Sequence, residues 1–224
     1  MSNYQLKIKL LSDTTFGRGD GVAGLIDQEV EHDQYGFPYL RGRTLKGLLS
    51  EESDNLIAVL PEPNKSYWQE VACQLFGIPG STLDTISAMH MGDACLPEDL
   101  RQAVAYQLKQ PNTSLKKADI LNSLTTIRRQ TAIHPQDGVA DERSLRSSRV
   151  VVRHLCFTSF LIFESPPTED MLTLLSVGTL ALRRMGSGRN RGRGHVECTL
   201  CDASGQEIVE RHVSRFGQAQ QESV

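Results

Sequence analysis

Residues 150–163 read Val-Val-Val-Arg-His-Leu-Cys-Phe-Thr-Ser-Phe-Leu-Ile-Phe. A run this dense in β-branched and aromatic side chains is best buried as a central strand of a sheet. Pro166 and Pro167 close it, and Thr168 then offers a helix cap with Glu169 and Asp170 in the first turn. Met171, Leu172, Leu174, Leu175, Val177, Leu180, Leu182 and Met185 predict a strongly apolar helix, with Gly186 as its left-handed stop. A strand over 195–201 follows. The last third of the chain therefore predicts strand, helix and strand on one sheet.

The first half supplies a matching set. Tyr4, Leu6, Ile8 and Leu10 alternate with polar residues, the period of a strand with one buried face. A glycine-rich excursion over 12–42 comes next, and so long a loop in a small domain is expected to be functional or mobile. Thr44 is the expected cap of a helix from Leu45, carried by Leu48, Leu49, Leu56, Ile57 and Leu60 up to Pro61. A second helical piece over 66–76 stops at Gly77, and a strand is expected over 86–96. Residues 97–148 are polar and irregular and predict an inserted arm. The order is that of the split βαβ unit. It predicts an α+β, modified ferredoxin-like (RNA-recognition-motif-like) fold with an inserted thumb or arm. One domain would fill residues 1–224, with a palm of 1–96 and 149–216, an arm and thumb of about 97–148, and a frayed tail from Gly217.

Composition narrows the function classes. With 39% apolar and 23% charged residues and no apolar run of membrane-spanning length, the chain reads as soluble and cytoplasmic. Five scattered cysteines predict reduced thiols rather than staples. Cys198 and Cys201, three apart on a strand, would point to opposite faces and suit no zinc site. The net charge of −3 argues against indiscriminate polyanion binding, yet the charge is segregated: residues 183–195 hold five arginines and no acid. A local basic site on an acidic body is implied.

Two segments could carry it. Gly-Ser-Gly-Arg-Asn-Arg-Gly-Arg-Gly at 186–194 combines backbone amides open to an anion with Arg189, Arg191 and Arg193, which can grip phosphates, although a solvated basic turn would read the same. The order helix-to-strand excludes a nucleotide-binding fingerprint. The segment 36–47 brings Arg41, Arg43 and Lys46 to a helix start, where a cap with exposed charges is as good an account. Trp68 is expected in the core. Asp20 and Asp33 are expected to be loop carboxylates, with Asp33 accepting near Gly36.

Several strings occur in one order: Gly-Leu-Ile-Asp-Gln-Glu-Val at 24–30, Pro-Tyr-Leu-Arg-Gly-Arg-Thr-Leu-Lys-Gly at 38–47, Leu-Phe-Gly at 75–77, Gly-Asp-Ala at 92–94, Ile-His-Pro-Gln-Asp-Gly-Val-Ala at 133–140, and the terminal glycine–arginine loop. Together they resemble the RAMP superfamily, and within it the backbone subunit of type III CRISPR effector complexes. The resemblance implies a fold that polymerises along a CRISPR RNA and kinks the guide–target duplex with a β-hairpin thumb. That thumb would be 125–148, including Ile133, His134 and Val139. It implies that Asp27, at the place of the family's loop aspartate, cleaves the paired target RNA, as a base or as ligand of a divalent Mg or Mn ion. No organic cofactor is implied. Gly186, Gly188, Arg189, Arg191, Gly192, Arg193 and Gly194, with Arg41, Arg43 and Lys46, would contact the guide. Arg41 and Arg43 stand where many relatives carry proline and serine. Implied partners are CRISPR RNA, target RNA, other RAMP subunits, a large polymerase-like subunit and small subunits, in a prokaryotic cytoplasm and with no membrane. The residues alone leave open a catalytically silent RNA scaffold, or a small-anion or nucleotide-binding enzyme, and a turn carboxylate bonded to its own loop is the alternative for Asp27.

Overall fold

The computed structural model describes residues 2–78, 87–133, 136, 138–141 and 144–221. Strand β1 (Ser2–Leu10) is followed by helices α1 (Gly42–Ala58) and α2 (Asn64–Phe76), strand β2 (Met89–Met91) and helices α3 (Glu98–Leu108) and α4 (Lys117–Leu124). Strands β3 (Thr125–Gln130), β4 (Arg146–Val151) and β5 (Cys156–Phe163), helix α5 (Glu169–Ala181), strand β6 (Val196–Cys201) and helix α6 (Val209–Gln221) complete the chain. No described helix is long and apolar enough to cross a membrane.

Two sheets form. The larger has the order β2-β5-β1-β6 with every pairing antiparallel, and β3 and β4 pair separately. With the β3–β4 hairpin set aside, the two consecutive βαβ units interleave in the ferredoxin-like order. Leu6, Ile8 and Leu10 of β1, Phe157 and Leu161 of β5, and Leu200 of β6 point to one face, as the period-2 pattern requires. There they meet Leu45, Leu49 and Ile57 of α1, Leu75 of α2, and Leu174 and Leu175 of α5 in a continuous core. Phe16 joins it edge-on to Phe157, with ring centroids 5.4 Å apart. Trp68 is buried, against Phe216 of α6. The opposite face carries Lys7 and Lys9 and leaves Phe160 (54%) and Ile162 (42%) exposed.

Helix α5 is apolar all round because it packs between α1, α2, α6 and the sheet. Thr168 caps it, its hydroxyl accepting the Met171 amide at 3.2 Å. The helix ends at Ala181, not at Gly186. Thr44 is not a cap: it lies inside α1, whose first amide, of Gly42, donates instead to the Asp93 carboxylate at 2.8 Å. That contact gives the Gly-Asp-Ala string at 92–94 a structural task.

Four other expectations change. The run 150–163 is two strands, because a turn with His154 at φ 72° separates β4 from β5 and sends them to different sheets. The expected strand 86–96 shrinks to β2 plus isolated pairings of Ala94 with Leu40 and Cys95 with Thr158. The described residues of 97–148 include α3, α4, β3 and the start of β4. Helix α3 contributes no fully buried side chain and α4 only Ile120, so neither left a strong apolar stripe to read. After β6 comes α6, for which no helix was expected, and its last residues 217–221 fall where a frayed tail was expected. Val209, His212, Val213 and Phe216 form its inner stripe at helical spacing.

Candidate nucleic-acid interface

The glycine–arginine loop is built between α5 and β6 as a fastened structure. Met185 donates to Gly194 at 2.9 Å, Gly194 to Asp13 at 3.0 Å, and Ser187 to Thr15 at 3.0 Å, so the loop is laced to the chain leaving β1. Two glycines are obligatory. A Cβ on Gly194 would stand 2.0 Å from the Met185 carbonyl oxygen, and one on Gly186 would stand 2.4 Å from the Thr14 hydroxyl. Both have positive φ, 72° and 81°. Between them Arg189–Arg191 makes a single 3₁₀ turn. Gly194→Ala is accordingly expected to destabilise the fold by at least about 2 kcal/mol, read as a lowered denaturation midpoint.

The 12–42 excursion also folds back on itself. Glu31 donates its amide to the Phe16 carbonyl at 2.7 Å and Arg18 to that of Glu29 at 3.0 Å, while Val22 and Ile26 close the tip. Beneath the tip, Glu29 and Arg149 of β4 form a buried ion pair at 2.9 Å. Arg149 also donates to Asn122 and Thr125, each at 3.1 Å. Removing the acid alone strands a buried guanidinium, so Glu29→Ala is expected to cost about 3–5 kcal/mol in chemical denaturation.

This fold-back ends on the hairpin, where it delivers Asp27. The Asp27 amide donates to the Ser147 carbonyl at 2.9 Å, and Arg149 donates to the Gln28 carbonyl at 2.9 Å, so residues 27–28 run beside β4 as a short added strand. The Asp27 Oδ2 in turn accepts the Ser147 amide at 2.6 Å and lies 3.2 Å from its hydroxyl. Those bonds, reinforced by nearby Arg146, hold the carboxyl below the usual aspartate range. An ionised carboxylate at neutral pH results.

Asp27 and the arginine loop face one open groove of about 1000 Å³. Its walls are Asp27 and Gln28, Arg146 and Ser148 of β4, Glu51 and Glu52 of α1, and the loop with Arg184, Arg189, Arg191 and Arg193. Five arginines thus oppose three carboxylates. Arg189 reaches Glu51 at 3.7 Å, whereas among the described residues no ion pair engages Arg191 or Arg193. The groove continues along the hairpin past Gln130, Thr131 and Ser144. A furrow this open and charged suits an extended polyanion better than an enclosed small molecule.

Of the other residues singled out, Gly186 and Gly188 line the groove and Gly192 ends the 3₁₀ turn. Arg41 pairs with Glu31 at 2.6 Å in an adjoining depression that shares Gly186, Ser187 and Arg189. Arg43 and Lys46 line a separate depression between α1 and α2, and Lys46 donates to the Met89 carbonyl at 3.3 Å. Ile133 (66%) and Val139 (59%) are exposed beyond the hairpin strands, while His134 lies outside the described residues. Asp33 accepts from Tyr35 and Phe37, at 2.9 and 3.0 Å, and Asp20 pairs with Arg18. Cys198 and Cys201 are buried free thiols, and burial pushes Cys198 up to about 12. Sequence reasoning did not assign Arg146, Glu51, Glu52 or Ser147 to the site, and took Arg184 only as part of the basic run at 183–195. Only the Arg-Ser-Ser-Arg string at 146–149 offered a signal, as basic residues on the strand returning from the arm.

Comparison with known proteins agrees with this architecture. Among curated proteins none matches the sequence. Among solved structures, the chain is similar to a type III-B Cmr-β complex bound to cognate target RNA, with a TM-score of 0.62, 13% identity, and coverage of 94% of this chain and 98% of that one. It is similar to the same kind of complex in the apo state, at TM-score 0.61 and 15% identity over 88% and 96% of the two chains. Oligomeric Cmr4 from Pyrococcus furiosus matches at TM-score 0.51 and 14% identity over 91% and 99%. These likenesses concern the fold. The model of the RAMP superfamily matches residues 7–197, from β1 through the arginine loop into β6, and the chain belongs to that superfamily.

Proposed function

We propose that this chain is the backbone subunit of a type III CRISPR effector complex, binding guide RNA and cutting the paired target RNA through Asp27. The observation that carries this reading is the shared groove: an ionised carboxylate on one wall and a glycine–arginine loop on the other, in one furrow open along the hairpin. One similar solved chain comes from a complex bound to cognate target RNA, which supports RNA as the polyanion.

In this reading the palm is 1–96 and 149–216, and the arm carries a thumb with Ile133 and Val139 at its exposed end. Arg191, Arg193 and the loop amides hold guide phosphates, since planar guanidinium groups match phosphate oxygens in pairs. Arg41 extends that contact from the adjoining depression, and Arg43 and Lys46 serve a neighbouring stretch of guide. The reaction is intramolecular in the RNA: a 2′-hydroxyl attacks the adjacent phosphorus and the 5′-oxygen leaves, giving a 2′,3′-cyclic phosphate and a 5′-hydroxyl. The protein has to splay the nucleotide into line and manage one proton. Asp27 Oδ1 takes the hydrogen of the 2′-hydroxyl, water supplies the proton that the departing 5′-oxygen needs, and Arg146 stands beside Asp27 to hold the phosphate charge. Among the described residues no cluster of three acidic, histidine or cysteine ligands exists. A Mg or Mn ion here would draw one carboxylate oxygen from Asp27 and its other ligands from RNA and water, the manner in which Mg is commonly held, and would polarise the phosphate.

A silent scaffold is the second reading, favoured by the bonds that already occupy Asp27 Oδ2. Assembly with guide RNA and a labelled complementary target separates the two. Regularly spaced products with cyclic phosphate ends support cleavage. Tight binding with an intact target under every divalent ion supports the scaffold, and tight binding of a mononucleotide with none of RNA overturns both.

A further inference from the structure

In strand β4, Ser147 is paired with Arg129 of β3, yet its own amide and carbonyl are turned away from that strand. Both serve Asp27: the carbonyl accepts the Asp27 amide at 2.9 Å and the Gln28 amide at 3.3 Å, and the amide donates to Asp27 Oδ2 at 2.6 Å. The Ser147 hydroxyl sits 2.9 Å from the Leu25 carbonyl and 3.2 Å from Oδ2, between the tip of the fold-back and the carboxylate. The loop carboxylate is therefore located by the hairpin strand opposite it rather than by its own loop. The hairpin is also tied to the palm, because Arg128 of β3 donates to Asp13 at 2.7 Å.

We infer that Ser147 is the positioning residue for Asp27, holding Oδ2 so that Oδ1 is the oxygen offered to the RNA, and that the hairpin sets the carboxylate's place through it. This rests on the cleavage reading above. Any shift of β4 when a duplex seats against the hairpin carries Asp27 with it, since residues 27 and 28 share its hydrogen-bond register. Cleavage is in this way coupled to correct seating of the duplex, with no further moving part.

The test uses the assembled complex with guide and target RNA. Ser147→Pro removes both donors that serve Asp27, the amide and the hydroxyl, and leaves the β3–β4 ladder intact, since that side of β4 gives nothing to β3 and proline is tolerated where a strand's N–H does not enter the ladder. Ser147→Ala removes the hydroxyl alone, and Ser147→Thr keeps both donors. Expected is a roughly tenfold or greater fall in the single-turnover cleavage rate for Ser147→Pro, with target affinity unchanged. Ser147→Ala lowers the rate in the same way by less, and Ser147→Thr restores it. If Ser147→Pro fails to assemble, Ser147→Ala decides alone. A wild-type rate in these variants, alongside a dead Asp27→Asn, overturns the positioning role and leaves the cleavage reading intact. Wild-type cutting by Asp27→Asn overturns the cleavage reading itself.

Discussion

Replacing Asp27 with alanine is expected to lower target RNA cleavage by at least about 100-fold while guide and target binding persist, because a positioned acid or base contributes roughly that much to proton transfer. Asp27→Asn is the sharper variant. Its amide oxygen can still accept from the Ser147 amide and hydroxyl, so the fold-back stays docked on β4 while the negative charge is lost. Equal losses in the two variants mean that charge matters. A loss only in alanine would mean that the carboxylate serves to hold the loop. The depressed pKa works in the same direction: a group stabilised in its charged form is ionised well below neutral pH. Cleavage by wild type should therefore stay level as pH falls from neutral and drop only below the ordinary aspartate range, measured as single-turnover rates across a pH series.

Removing Arg189, Arg191 and Arg193 together is expected to weaken guide RNA binding by at least about 100-fold, with the log–log salt slope reduced by roughly 2, since each phosphate neutralised contributes about 0.7 on single strands. Their contributions should differ. Arg189 already shares charge with Glu51, so its single replacement should cost less than that of Arg191 or Arg193. Lysines at all three positions should recover the salt slope but only part of the affinity, because an ammonium keeps the charge without the paired hydrogen bonds. Unchanged affinity in the triple alanine variant, in protein that still folds, would mean that the loop is a structural corner.

Much of the four-stranded sheet and its helices was legible from residues 4–11 and 168–201, where burial leaves a plain period: alternation in β1, and an apolar helix with a cap in α5. The arginine loop could be read for a similar reason, since glycines beside arginines announce both the backbone and the charge. What sequence could not carry was long-range register. The break at His154 was read through although Arg153 and His154 interrupt the apolar run, because both halves are buried, only in different sheets. The cap of α1 comes from Asp93, some fifty residues away, so a local search settled on Thr44. Asp27 was marked by resemblance, but its partner lies 120 positions downstream, and nothing in a Ser-Ser pair says that one amide will face a carboxylate. Arg43 and Lys46 sit close to Arg41 in sequence, yet helical geometry turns them to another depression.

The central claim is that one furrow holds the guide–target hybrid between the fold-back at Asp27 and the arginine loop. Photocrosslinking tests it most directly: the complex is assembled with 4-thiouridine placed in turn in guide and target, and the linked peptides are identified. The account predicts guide crosslinks at 186–194 and target crosslinks at 25–28 and on the hairpin strands. Crosslinks confined to the outer sheet face around Phe160 and Ile162, with none at either wall of the groove, would contradict it.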